Sequence, residues 1–166
     1  MADQAVGDPA RELRDRIEDH LRRYGAESSR LIDIFAKTHA MHPTDFQALV
    51  LIMNAERQGT PATPGTLGRA LSLTSGAVTG TIDRLAAAGH VIRAPDERDR
   101  RQTRLHWQGP GLKLAAEFFE PLGARTEPIM AGFTVAELGV IEHFMAGMAE
   151  AIAAHRETLE ADRGCG

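Results

Sequence analysis

The sequence predicts a mainly α protein of about six helices, with a β-hairpin of two to three short strands in its second half. Three observations carry that expectation. Ala, Leu, Arg and Glu are plentiful while aromatics are few (6 Phe, 1 Tyr and 1 Trp), a balance that favours helices. Apolar residues recur at helical spacing along most of the chain. Between residues 63 and 107, two short helical patterns precede two strand-like runs that flank a tip made almost wholly of charges. Helix, turn, helix and hairpin in that order describe a winged helix-turn-helix, a reader of double-stranded DNA.

Residues 1–8 are polar and predict a frayed start. From Pro9 to about Ala40, Leu13, Ile17, Leu21 and Tyr24, then Leu31, Ile34, Phe35 and Thr38, form one narrow helical stripe. Gly25 and Ser28–Ser29 predict a bend in it. So long a stripe needs a partner surface, either the C-terminal helix or a second subunit. His42-Pro43 stops this helix. Thr44, with Gln47 three residues on, has the spacing of a capping box for the next, which buries Phe46, Leu49, Val50 and Met53. Glu56–Pro61 reads as a loop.

Thr63-Pro64 opens a short third helix with Leu67, Ala70 and Leu71 facing inward. Gly68 in its interior costs about 1 kcal/mol relative to alanine, which predicts a crowded helix–helix contact. After a tight connection at Ser72–Leu73, a fourth helix spans 74–88, with Thr74 as N-cap and Val78, Ile82 and Leu85 as its core stripe. Its other face carries Ser75, Gly76, Thr79, Gly80 and Asp83, small enough to lie between phosphate walls in a major groove about 12 Å wide. Gly89 supplies the left-handed C-cap. Val91–Ala94 and the alternating Thr103, Leu105 and Trp107 read as paired strands. The tip 95–101 between them, Pro-Asp-Glu-Arg-Asp-Arg-Arg, is too charged to bury. Arginine suits a narrow, negative minor groove, and interleaved acids can hold guanidinium groups by bidentate pairing.

Gln108-Gly109-Pro110 breaks the chain before a long fifth helix through Leu112, Ala115, Phe118, Phe119 and Leu122, which Pro121 and Pro128 should kink or divide. Thr134 with Glu137 is a second capping box. Leu138, Ile141, Met145, Met148 and Ile152 then step by 3, 4, 3 and 4, a coiled-coil-like seam. The polar tail Arg156–Gly166 predicts fraying.

The net charge of −4 becomes compatible with DNA once it is divided. From Arg69 to Arg104, seven arginines (69, 84, 93, 98, 100, 101 and 104) face Asp83, Asp96, Glu97 and Asp99, a local +3 that leaves −7 elsewhere. A basic module on an acidic body is attracted to phosphate on one face and oriented by repulsion on the other. Cys165, the sole cysteine, lies between two glycines and has no internal partner for a disulfide. No apolar run approaches the roughly 18 residues of a membrane span, and the acidic N-terminus lacks a signal pattern, so a cytoplasmic protein is expected. Hydrolase, P-loop and dinucleotide signatures are missing from the sequence; neither an enzyme nor a cofactor is expected. His39-Ala40-Met41-His42 has a metal-like spacing, but it spans a helix end and lacks a cysteine or H-E-x-x-H glutamate; ordinary capping is the plainer reading.

The run Leu71-Ser72-Leu73-Thr74-Ser75-Gly76-Ala77-Val78-Thr79, then Ile82-Asp83-Arg84-Leu85, Ala88-Gly89-His90-Val91 and Asp99-Arg100-Arg101, resembles the MarR family of bacterial transcriptional regulators. Helix order and length fit that family along nearly the whole chain. The specific motifs are confined to 63–111, and Leu105-His106-Trp107-Gln108 departs from the family's usual apolar-x-apolar-Thr strand ending. The resemblance implies a homodimer on a pseudo-palindromic operator, with helix 74–88 in the major groove and wing 95–101 in the minor groove. Repression is the family's commoner mode. Ser75, Gly76, Thr79 and Gly80 would approach bases, with Thr74 also at the DNA. Asp99 would orient, Arg101 would enter the groove, and Arg98 or Arg100 would lie nearer phosphates. Arg69, Arg84, Arg93 and Arg104 are open between phosphate contact and internal pairing.

The resemblance also implies dimerisation through 9–43 and 108–160, around Leu13, Ile17, Leu21, Leu138, Ile141, Met145, Met148 and Ile152, with the reader at 44–107 and tails at 1–8 and 161–166. A small aromatic or lipophilic effector would bind between these parts, against Phe35, His39, His42, Phe46 and Phe118. The alternatives are a winged-helix protein-docking module and a metal-responsive regulator.

Overall fold

Caps and prolines set where the helices start. The computed structural model describes residues 8–96 and 99–164. It contains α1 (Pro9–Thr38), α2 (Pro43–Arg57), α3 (Pro64–Leu71), α4 (Ser75–Ala87), β1 (Val91–Pro95), β2 (Thr103–Trp107), α5 (Gly109–Met130) and α6 (Val135–Gly164). The mainly α winged helix-turn-helix expected from the sequence is the fold observed. Among the described residues the wing has two strands, paired antiparallel from Val91↔Trp107 to Pro95↔Thr103. The expected frayed start, 1–8, lies outside the described residues except for Asp8, whose side chain caps α1 through Ala10 N at 3.0 Å.

The chain divides after Phe118 into two compact units. The first holds the hydrophobic core, in which Phe46, Leu49 and Ile52 of α2, Leu67 of α3, Ile82 and Leu85 of α4, Val91 of β1 and Leu105 of β2 are all buried. Val78 joins them, so the stripe expected on α4 is the one observed. A Cβ on Gly68 would lie 3.0 Å from the Val78 side chain, the crowding that its cost in α3 predicted. In the second unit α6 buries none of its described side chains: Val135, Val140, Ile141, Met145 and Ile152 are all exposed.

α1 runs as one helix through Gly25 and Ser28–Ser29, because its i, i+4 bonds need nothing that those residues lack. Several boundaries differ from expectation. α2 is capped by His42, whose Nδ1 accepts from Thr44 N at 3.2 Å, not by Thr44. Pro43 takes the first helical position, where its missing N–H costs nothing. α5 is not divided at Pro121 or Pro128 but runs as one helix through both. Each removes one hydrogen-bond donor, while the ring fixes a φ that a helix already uses. α6 continues through the tail expected to fray, helped by Arg156 donating to both oxygens of Glu160 at 3.0 Å. Cys165 lies outside the described residues.

Candidate nucleic-acid interface

The reading helix is held by local chemistry at both ends. Thr63 and Thr66 cap α3 reciprocally: Thr63 N donates to Thr66 Oγ1 at 2.8 Å and Thr66 N to Thr63 Oγ1 at 3.1 Å. Ser72 then adopts the left-handed region (φ 53°), which lets Leu73 N close back on Gly68 O at 2.9 Å. Thr74 starts α4 by accepting from Ala77 N at 3.3 Å. Gly89 (φ 72°) ends it, with His90 N bonded to Leu85 O at 2.9 Å. Ser75, Gly76 and Thr79 are exposed and Gly80 is half-buried, so one face of α4 stays accessible between these anchors.

Three arginines left open by the sequence are committed within the protein. Arg84 donates from Nε to Asp45 Oδ2 at 2.7 Å and from a terminal nitrogen to Asp45 Oδ1 at 2.6 Å, a bidentate pair joining α4 to α2. Hydrogen bonding to Asp45 pushes the Arg84 pKa up, and desolvation opposes it more weakly. Arg93 donates to Asp83 at 2.6 Å. Arg104 pairs with Asp96 and also donates to Pro61 O at 2.8 Å, while Leu105 N bonds to Ala62 O at 2.8 Å. The base of the wing is thereby tied to the loop before α3.

The tip is therefore not wholly exposed, as its charge had suggested. Asp96 is 8% exposed because Arg104 neutralises it and Asp99 N donates to it at 2.8 Å. Asp99, expected to orient a guanidinium, accepts from the backbone N of Arg101 at 3.1 Å and from Gln102 Nε2 at 3.3 Å. It shapes the turn. Arg100 and Arg101 are exposed, and neither guanidinium has a partner among the described residues. Arg98 lies outside the described residues. The departure at Trp107 leaves the strand regular: Glu56 receives His106 Nδ1 at 2.9 Å and Trp107 N at 3.2 Å, clamping β2 to α2.

Of the residues expected to line an effector cleft, Phe35, His39, Phe46 and Phe118 do meet, but as packed rings. Phe35 lies 4.1 Å from His39 and 4.9 Å from both Phe46 and Phe118, centroid to centroid. His39 is fixed further by Phe35 O at 3.1 Å and Glu117 at 3.0 Å. A cavity of about 510 Å³ lies elsewhere in this unit, bordered by Ala40, Met41, His42, Asp45, Arg84, Leu85, Ala88 and His90. Only His42 of the expected residues reaches it, because the aromatic side chains fill their own space. Among the described residues, no three His, Cys, Asp or Glu side chains gather as metal ligands, and no helix is long and apolar enough to cross a membrane.

The sequence missed Asp45. Its signal was present: a carboxylate in register with Leu49 and Ile52, at i+4 and i+7, sits on an apolar stripe and calls for a cation.

Comparison with known proteins extends these observations. Residues 41–102 match the family model described as MarR family. The chain is 30% identical over 125 residues to the uncharacterized HTH-type transcriptional regulator YcgE of Bacillus subtilis (strain 168), covering 75% of this chain and 79% of that protein. In fold it is similar to a MepR mutant from a multidrug-resistant S. aureus clinical isolate (TM-score 0.68, 15% identity, 82% of this chain and 96% of that one). It is also similar to a S. aureus MepR mutant bound to an oligodeoxyribonucleotide (TM-score 0.53, 15% identity, 81% and 97%).

Proposed function

This chain belongs to the MarR family, and from that premise we propose that it is a sequence-specific, double-stranded-DNA-binding transcriptional repressor acting as a cytoplasmic homodimer. The observation that carries the reading is the division of labour among its arginines. Arg84, Arg93 and Arg104 pair internally, whereas Arg100 and Arg101 project from the wing without partners among the described residues. Exposed guanidinium groups at the tip of the wing are suited to a minor groove. Ser75, Gly76, Thr79 and Gly80 leave the exposed face of α4 low enough to enter the adjacent major groove. Arg84, offered by the motif as a DNA contact, serves in this reading as a strut behind the helix. A MepR relative in complex with an oligodeoxyribonucleotide supports the DNA assignment.

Dimerisation is supported by the apolar side chains that the single chain leaves uncovered. Leu13 on α1 is exposed, as are Ile141, Met145 and Ile152 on α6. On the same helices Ile17 and Leu21, and Leu138 and Met148, are half-buried. The two reading heads would then meet a pseudo-palindrome at one helical turn, about 34–36 Å. Relief by a small aromatic or lipophilic effector would use the cavity between the α1–α2 turn and the back of α4, where a ligand touches the helix that reads DNA. A panel of small aromatic acids and lipophilic cations tests this by NMR: shifts at Met41 and Ala88 support it, and shifts confined to Phe35 and Phe118 refute it.

The competing protein-docking function is separated by one variant. Arg101→Ala is expected to lose about tenfold or more in DNA affinity with dimerisation unchanged. Unchanged DNA affinity would remove the tip from the groove.

A further inference from the structure

Helix α4 has no charged side chain left for bases. Its Arg84 is held by Asp45, and its Asp83 accepts from Arg93 at 2.6 Å. Its sequence, SGAVTGTIDRLAA, contains no Lys, Asn, Gln or Glu. The bidentate contacts that commonly read guanine through Arg or Lys, and adenine through Asn or Gln, therefore have no source on this helix. The exposed face offers Ser75 and Thr79 instead. The Thr79 hydroxyl already donates its hydrogen to Ser75 O at 3.0 Å. That bond leaves the oxygen as an acceptor and the γ-methyl as the group that sets Thr79 apart from a serine. The apolar counterpart of a threonine methyl in a major groove is the C5-methyl of thymine.

We propose that Thr79 is a specificity-determining residue that reads a thymine C5-methyl in each half-site, so that the chain tells T·A from C·G by a methyl contact. This rests on the DNA-binding reading above and adds to it the base read and the atom that reads it. Removing a methyl from such a contact is worth about fourfold in affinity, and about fifteenfold when both half-sites are changed.

The test uses the full chain and a duplex recovered by repeated selection from a randomised pool. Symmetry-related thymines are replaced by deoxyuridine one pair at a time, and binding is measured for the wild type, Thr79→Ser and Thr79→Val. Thr79 is exposed, so both variants should fold, which thermal melting verifies. The proposal expects one thymine pair whose demethylation costs the wild type about fifteenfold. Thr79→Val should keep that sensitivity, and Thr79→Ser should lose it. An enriched duplex indifferent to deoxyuridine, or a Thr79→Ser protein as sensitive as the wild type, overturns the role of Thr79 alone. A pool that yields no enriched duplex overturns the DNA-binding reading with it.

Discussion

Replacing Arg84 by alanine separates a strut from a phosphate contact. The Arg84 guanidinium makes two bonds, of 2.7 and 2.6 Å, to a carboxylate, Asp45, that is only 4% exposed. Removing one partner of a buried pair typically costs about 3–5 kcal/mol, because the other charge stays behind unpaired. Here the Arg84 side chain is 56% exposed, so water screens the pair and can reach the abandoned carboxylate. The expected loss is lower, about 2–3 kcal/mol. For a chain of this length that lowers the Tm by about 4–12 °C, compared at equal protomer concentration. DNA binding, measured below the melting range, should keep its salt dependence, since no phosphate loses a cation. Were Arg84 on phosphate in both subunits, the log–log salt slope would shrink by about 1.8. Unchanged stability with a slope shallower by that amount would instead place Arg84 on phosphate.

Other perturbations test separate joints. Gly111→Ala places a Cβ 2.7 Å from the His90 backbone oxygen and 3.1 Å from Leu49, so it should cost about 1–3 kcal/mol by overpacking, visible in urea unfolding. Glu56→Ala removes the acceptor for His106 and Trp107 and should destabilise by about 1–3 kcal/mol, with faster amide exchange at Trp107. Glu137 has its pKa lowered, first by the Thr134 hydroxyl and then by the Thr134 backbone N–H, so its cap is in place above the ordinary glutamate value of 4.5. That cap is lost as pH falls through the lower folded value. Amide protection at Thr134 should therefore decline on acidification, and the decline should be missing in Glu137→Ala.

What could be read from the sequence depended on how far each interaction reaches. Thr63, Thr74, Gly89 and the Thr134–Glu137 pair act within one turn, so residue type and spacing sufficed to place them. The core stripe Val78, Ile82 and Leu85 was equally plain, because periodicity records burial directly. The ion pairs were not. Asp45 and Arg84 are 39 residues apart, and each arginine of the module had several acids within plausible reach. Only the packing of α2 against α4 decides among them. The aromatic residues differ again: the family resemblance implied that Phe35, Phe46 and Phe118 share one region, and only their packing shows the rings in mutual contact there. His42 displaced Thr44 as a cap because Pro43 fits the first helical position so well.

The most direct test of the account is the affinity of the full chain for duplex DNA from the region upstream of its own gene, against random duplex of equal length at one fixed salt concentration. The protein is expected to prefer the upstream duplex by about 10³ or more. Equal, weak binding to both duplexes would contradict that expectation and leave the winged helix as a surface for docking protein.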